Sequence, residues 1–194
     1  MRKAAIIIGM VFLMTMEADS GPKKLPGPPP ISIKKGVRYV ATVQTGMGTF
    51  YMELFSEDAP RTVSNFIYLA KSGFFDGLTF HRVVPGHVIQ GGDPAGNGTG
   101  DAGYTIPFEQ SGQKHLEGSV GMARGPDMNS ASSQFYICLA PRPFLDGKYT
   151  IFGRVYEGMD VVRKIGAVPT GAGDRPVTPV YIHRVIINEM PSSR

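Results

Sequence analysis

The chain has 194 residues, 42% hydrophobic and 19% charged, which excludes a disordered polypeptide and allows one domain with a sizeable core plus an appendage. Its formal net charge of +4 sits at the N-terminus: residues 1–38 hold seven Lys/Arg against two Asp/Glu, and residues 39–194 hold thirteen against fourteen. The remainder is near neutral and lacks the basic footprint of a nucleic-acid binder. The single cysteine, Cys138, excludes an internal disulfide and reads as a small buried residue in the apolar run Phe135–Leu139.

In chain order, Met1-Arg2-Lys3 precedes the apolar run Ala4–Met16, with small residues at Ala18 and Ser20. This predicts an export leader over residues 1–20, with an apolar run too short to span a bilayer comfortably. The protein is then expected to be periplasmic or secreted; an uncleaved leader would instead anchor it at the membrane. Residues 21–36 hold five prolines between Gly21 and Pro30, together with Lys23 and Lys24, and predict an extended, solvated spacer. A domain is expected over residues 37–190 and a short tail over 191–194.

Within that domain, Val37–Val43 and Gly48–Phe55 read as two strands joined around Gly46 and Gly48. Asp58-Ala59-Pro60 starts a helix whose apolar stripe is Val63, Phe66, Ile67 and Ala70, and Gly73 stops it. Pro94–Gly103 reads as a surface loop. Ser133–Ala140 and Tyr149–Tyr156 are further strands, with a turn at Phe144–Lys148 between them. A short helix covers Met159–Ile165, and Val180–Asn188 closes the sheet. Strands dominate without a βαβ rhythm, so the expected fold is mainly β: a closed antiparallel barrel with two helices.

The stretch Phe80–Asp93 reads as two β-rich segments around Pro85-Gly86, carrying one guanidinium, Arg82, and one amide, Gln90. A few oriented donors in an apolar surround make a binding site. His81 reads as a structural hydrogen-bonding residue. His87, His115 and His183 have no metal-ligand spacing, and no nucleophile-elbow motif supports a hydrolase. No cofactor or metal is expected.

Phe80-His81-Arg82-Val83-Val84-Pro85-Gly86 with Gln90-Gly91-Gly92-Asp93, then Ser133-Gln134-Phe135 and Phe144-Leu145-Asp146-Gly147-Lys148, together resemble the cyclophilin family of peptidyl-prolyl isomerases. The resemblance runs from about Tyr39 to Asn188. It implies an eight-stranded antiparallel barrel capped by two α-helices, with the site on its outer face, and a proline-containing polypeptide as substrate. By position, Arg82 matches the catalytic arginine and Gln90 the glutamine that holds substrate and arginine. Val88, Tyr136 and Leu145 match the proline pocket. Ala123, Arg124 and Gln134 match the groove for the preceding residues, and Phe144 and Tyr149 match the rim. His87, Val88, Tyr136, Phe144 and Tyr149 depart from the best-known eukaryotic pattern, and residues 122–132 look more like bacterial members. Phe144 stands where a tryptophan important for cyclosporin is common, so the resemblance carries no expectation of cyclosporin binding. The altered rim leaves a second reading, a prolyl-peptide-binding module with little turnover. A monomer without a nucleic-acid partner is expected, touching membrane only through its leader.

Overall fold

The computed structural model describes residues 23–191; the expected export leader and the end of the tail lie outside the described residues. Eight strands form one antiparallel sheet: β1 Val37–Thr45, β2 Gly48–Leu54, β3 Arg82–Val84, β4 Val88–Gly91, β5 Ser119–Met122, β6 Phe135–Cys138, β7 Ile151–Glu157 and β8 Ile182–Pro191. Their order across the sheet is β3-β4-β6-β5-β7-β2-β1-β8. β5 was not foreseen. Ser-Val-Gly-Met is short and buried at every position, so it has neither the length nor the alternation by which a strand shows itself.

The expected closed barrel is more open than that. No ladder joins the end strands β3 and β8. The seam is held by Gly77 N–H to Ile182 O (2.8 Å), Phe80 N–H to Val180 O (3.0 Å) and Ile182 N–H to Leu78 O (2.7 Å), around an isolated bridge of Thr79 with Tyr181. The chain is a half-barrel drawn together at one end of its seam.

Alternation along each strand decides what lies inside. Tyr39, Ala41 and Val43 of β1 and Phe50, Met52 and Leu54 of β2 point into one core with Val83, Ile89, Phe135 and Ile137. Helix α1, Pro60–Lys71, begins on a proline whose missing N–H costs nothing there. It drives Phe66 among the interior rings, edge-on to Phe135 with centroids 5.6 Å apart. Helix α2, Met159–Gly166, buries Val161, Val162 and Ile165. These are the two expected helices, and the expected apolar stripe of α1 is turned inward.

The spacer expected to be solvated is instead docked. Residues 23–36 form no helix or strand, but Lys23 Nζ donates to the carbonyls of Gly73 (3.1 Å), Phe74 (3.2 Å) and Asp76 (2.5 Å), just beyond the C-terminus of α1. Leu25 N–H donates to Ala102 O at 2.8 Å and Ser32 N–H to Ser64 Oγ at 3.0 Å, while Leu25 and Ile33 pack on the core. A lysine just beyond a helix C-terminus meets backbone carbonyls, which only accept, and the negative end of the macrodipole. That local attraction outweighs what proline-rich composition suggests.

Candidate active site on the outer face of the sheet

Because alternate side chains leave the core, register fixes which residues share the outer face. Arg82 pairs with Gln90, Gln90 with Tyr136 and Tyr136 with Gly121, a single row across β3, β4, β6 and β5. The next row on the same face is Val84, Val88 and Cys138. Val88, Tyr136 and Cys138 form a second buried apolar cluster, flanked by Val84, Ala123, Leu145 and Tyr149. Cys138 is therefore buried as expected, but beneath the outer site and not in the main core. Gly121 is required here: a Cβ would collide with the Tyr136 ring.

Over this cluster lies a hollow of about 230 Å³. Val88, Ala123, Tyr136, Leu145 and Tyr149 supply its apolar and aromatic wall, and Arg82, Gln90, His87 and Arg124 supply its polar side. Nine of the eleven residues singled out in the sequence meet there. Gln134 instead lines an adjoining hollow of about 250 Å³, shared with Gln90, Ala123 and Arg124. Phe144 does not line the main hollow. It is 59% exposed and stacks on His87 with ring centroids 6.0 Å apart, so it stands on the rim.

Arg82 is held from two sides. Its Nε donates to Asp174 Oδ2 at 3.2 Å, and its Nη1 reaches Gln90 Oε1 at 3.5 Å. Gln90 Nε2 donates to Gln134 Oε1 at 2.9 Å, and Gln134 Nε2 donates to Gly98 O (3.1 Å) and Gly100 O (2.8 Å). Backbone carbonyls only accept, so they orient Gln134, and Gln134 in turn orients Gln90 with its oxygen towards Arg82. Asp174 was not foreseen. It lies 92 residues away in a turn over residues 172–174, in the left-handed region at φ 59°. An aspartate tolerates that conformation better than most residues, and no local pattern signals its partner.

Beneath the hollow, Tyr136 is tied to a buried relay. Its hydroxyl meets His115 Nε2 at 2.8 Å, and His115 Nδ1 meets Asp146 Oδ1 at 2.9 Å. The backbone N–H and ring N–H of His115, with Lys114 alongside, hold the Asp146 carboxyl below its usual range. An ionised carboxylate only accepts, so Nδ1 carries a proton. Burial, with Cys138 and Tyr149 nearby, pushes the Tyr136 phenol well above its ordinary value; it stays a neutral wall. On the rim, His87 Nδ1 accepts from Arg142 Nε at 2.6 Å. Burial first, then the charges of Arg142 and Arg82, lower the His87 pKa. Arg124 spends its donors on Lys148 O, Gly125 O and Pro126 O and lies over the Tyr149 ring, 4.8 Å from its centroid.

His81 departs from its expected structural role. It is 5% exposed, and neither ring nitrogen has a hydrogen-bond partner among the described residues. Among those residues, no group of three or more His, Cys, Asp or Glu is placed to hold a metal ion.

An oriented guanidinium and amide beside an apolar hollow, outside an antiparallel half-barrel, make a concave site with a few convergent polar groups. The sequence model of the cyclophilin-type peptidyl-prolyl cis-trans isomerases matches residues 40–187. The chain is 46% identical over 150 residues to peptidyl-prolyl cis-trans isomerase ppi1 of Schizosaccharomyces pombe, covering 74% of this chain and 96% of that protein. It is 48% identical over 127 residues to a peptidyl-prolyl cis-trans isomerase of Synechococcus elongatus, covering 64% and 87%. A crystal structure of a cyclophilin-type isomerase from Cryptosporidium parvum superposes with a TM-score of 0.75 at 28% identity, covering 79% of this chain and 99% of that one. The same protein crystallised in the presence of the dipeptide Ala-Pro gives a TM-score of 0.74 at 30% identity, covering 77% and 98%. The chain belongs to the cyclophilin-type peptidyl-prolyl cis-trans isomerases. It is an isomerase of prolyl peptide bonds, and proline-containing peptides are its ligands.

Proposed function

We propose that Arg82 is the catalytic residue of this isomerase, that Gln90 holds it, and that the hollow over Val88, Tyr136 and Leu145 takes the proline ring. Rotation about a peptide bond is opposed by about 18–20 kcal/mol of lost resonance. As the prolyl bond twists, its nitrogen regains a lone pair and becomes a hydrogen-bond acceptor that neither planar isomer offers. A donor aimed at the twisted amide therefore stabilises the transition state over both ground states. The apolar hollow holds the ring while groups along the groove hold the chain, so that one half turns against the other. No proton is transferred and no covalent bond forms.

The observation that carries this reading is the shared wall. One permanently charged, forked donor borders the same 230 Å³ hollow as Tyr136 and Leu145, and two oriented partners, Asp174 and Gln90, fix its aim. The test is a cis-to-trans assay on a short proline peptide. Arg82→Ala is expected to lower kcat/KM by about 10²–10³ with peptide binding largely retained. Undiminished turnover in that variant would remove Arg82 from the mechanism.

The enzyme acts, on this reading, on exported polypeptides during their folding, as a monomer. The basic start and short apolar run of residues 1–20 support export. A mature protein whose mass begins at Met1 would oppose it. Phe144 on the rim lacks the indole N–H donor of a tryptophan, which favours weak cyclosporin binding. Inhibition of the same assay by stoichiometric cyclosporin would refute that.

A further inference from the structure

On the far side of Arg82 lies a second hollow, of about 530 Å³. Arg82 and Gln90 form its shared wall with the first hollow, so one bound chain can occupy both. Its remaining walls include His81, Asn97, Gly173 and Arg175. Arg175 reaches the Gly96 carbonyl through Nη2 alone, which leaves its other donors unspent among the described residues. His81 brings two buried ring nitrogens without partners.

Two acids stand near the two guanidiniums, and both already have partners. Asp174 is engaged by Arg82. Asp93, close to His81, receives the backbone N–H groups of Ala95, Asn97 and Gly98. Neither acid offers a free carboxylate to a cationic guest, whereas Arg175 keeps unspent donors on a charge that it cannot lose. The fitting guest is an acceptor with negative charge, and in a polypeptide that is Asp or Glu. Residues 39–194 carry thirteen Lys/Arg against fourteen Asp/Glu, so the free donors of Arg175 are a local feature and not a sample of a basic surface.

We propose that this second hollow is a subsite for an acidic side chain lying within a few residues of the proline, so that the enzyme prefers acidic clients. The proposal rests on reading the first hollow as the prolyl site. The carboxylate accepts from Arg175, and Arg82 is left to the amide that turns. Arg124 lines the first hollow and Arg142 is bonded to His87 on its rim, but their donors are largely taken by backbone carbonyls and by His87.

The experiment uses the full chain and a set of proline peptides with Glu, Gln or Lys at each of the positions flanking the prolyl bond. At one position the Glu peptide should exceed the Gln peptide in kcat/KM by about three- to tenfold, mostly through KM, with Lys below both. The preference should shrink as salt is added. Arg175→Ala should collapse the Glu/Gln ratio towards one, and Arg175→Glu should favour the Lys peptide. Equal turnover of the three peptides at every position would overturn the subsite while leaving the isomerase reading intact. A Glu preference that survives in Arg175→Ala would overturn it as well. If wild type turned over no peptide, the isomerase reading would fail, and fluorescence anisotropy of the same labelled peptides would decide the subsite by the same ordering of affinities.

Discussion

His87 accepts a hydrogen bond from Arg142 on Nδ1, so that atom must stay unprotonated for the rim to keep its form. Burial and two neighbouring guanidiniums lower its pKa from the ordinary value, near 6.5. The sign follows. The folded state disfavours the imidazolium, so the arrangement is intact above the ordinary value and is lost as pH falls through the lowered one. Protonation removes Arg142's acceptor and adds a third positive charge beside Arg142 and Arg82. For a neutral peptide, KM is expected to hold steady down through the ordinary imidazole value, near 6.5, and to rise only on the acid side of it. His87→Gln should flatten that limb. An acid limb of the same shape in the variant would assign it to another group. His87 lines the hollow, so steady-state kinetics on both proteins across pH 4.5–8 is the measurement.

At the scale of elements, the N-terminal arm and the loop over residues 94–103 act together. Leu25 N–H holds Ala102 O. The same loop presents Gly98 O and Gly100 O to Gln134, which orients Gln90 and through it Arg82. A chain starting at residue 36 loses the three carbonyl contacts of Lys23 and the packing of Leu25 and Ile33. Compared with one starting at residue 21, it is expected to lose about 1–2 kcal/mol. That is a fall in Tm of about 3–8 °C for a domain of this size, with a raised KM as the groove wall loosens. Calorimetry and the peptide assay on the two chains check this, and equal Tm values would show that the arm contributes nothing. The arm was misread because composition reports average solvation, whereas Lys23 answers to a particular helix end. The central hairpin was legible for the opposite reason: Arg82 and Gln90 flank one turn, and a register set by alternation puts them side by side. Asp174, and the Asp146–His115–Tyr136 relay, are meetings of distant segments that no periodicity encodes. β5 was lost because four buried residues with a central glycine have no pattern to read.

For the molecule as a whole, the single cysteine tests whether the fold suits an exported, oxidising setting. Cys138 is fully buried on β6, behind the hollow and among Val88 and Tyr136. Burial, against the partly opposing charge of Arg142, pushes its thiol up to about 11. At pH 7 the thiolate is then about one part in 10⁴, and the thiolate is the species that oxidants and disulfides attack. Reaching it requires the outer cluster to open, and that cluster is fastened by Tyr136 to His115 and by the close fit over Gly121. The native protein is therefore expected to leave a thiol reagent such as dithionitrobenzoate unreacted over hours, to react with one equivalent once unfolded in urea, and to keep its peptide turnover after treatment with millimolar peroxide. Gly121→Ala, which forces the Tyr136 ring aside, should speed thiol labelling and lower turnover together, because the floor of the hollow and the cover of Cys138 are the same side chain. Rapid labelling of the native wild-type protein would mean that the outer cluster opens freely, and a hollow that opens freely could not hold a proline ring still while the rest of the chain turns.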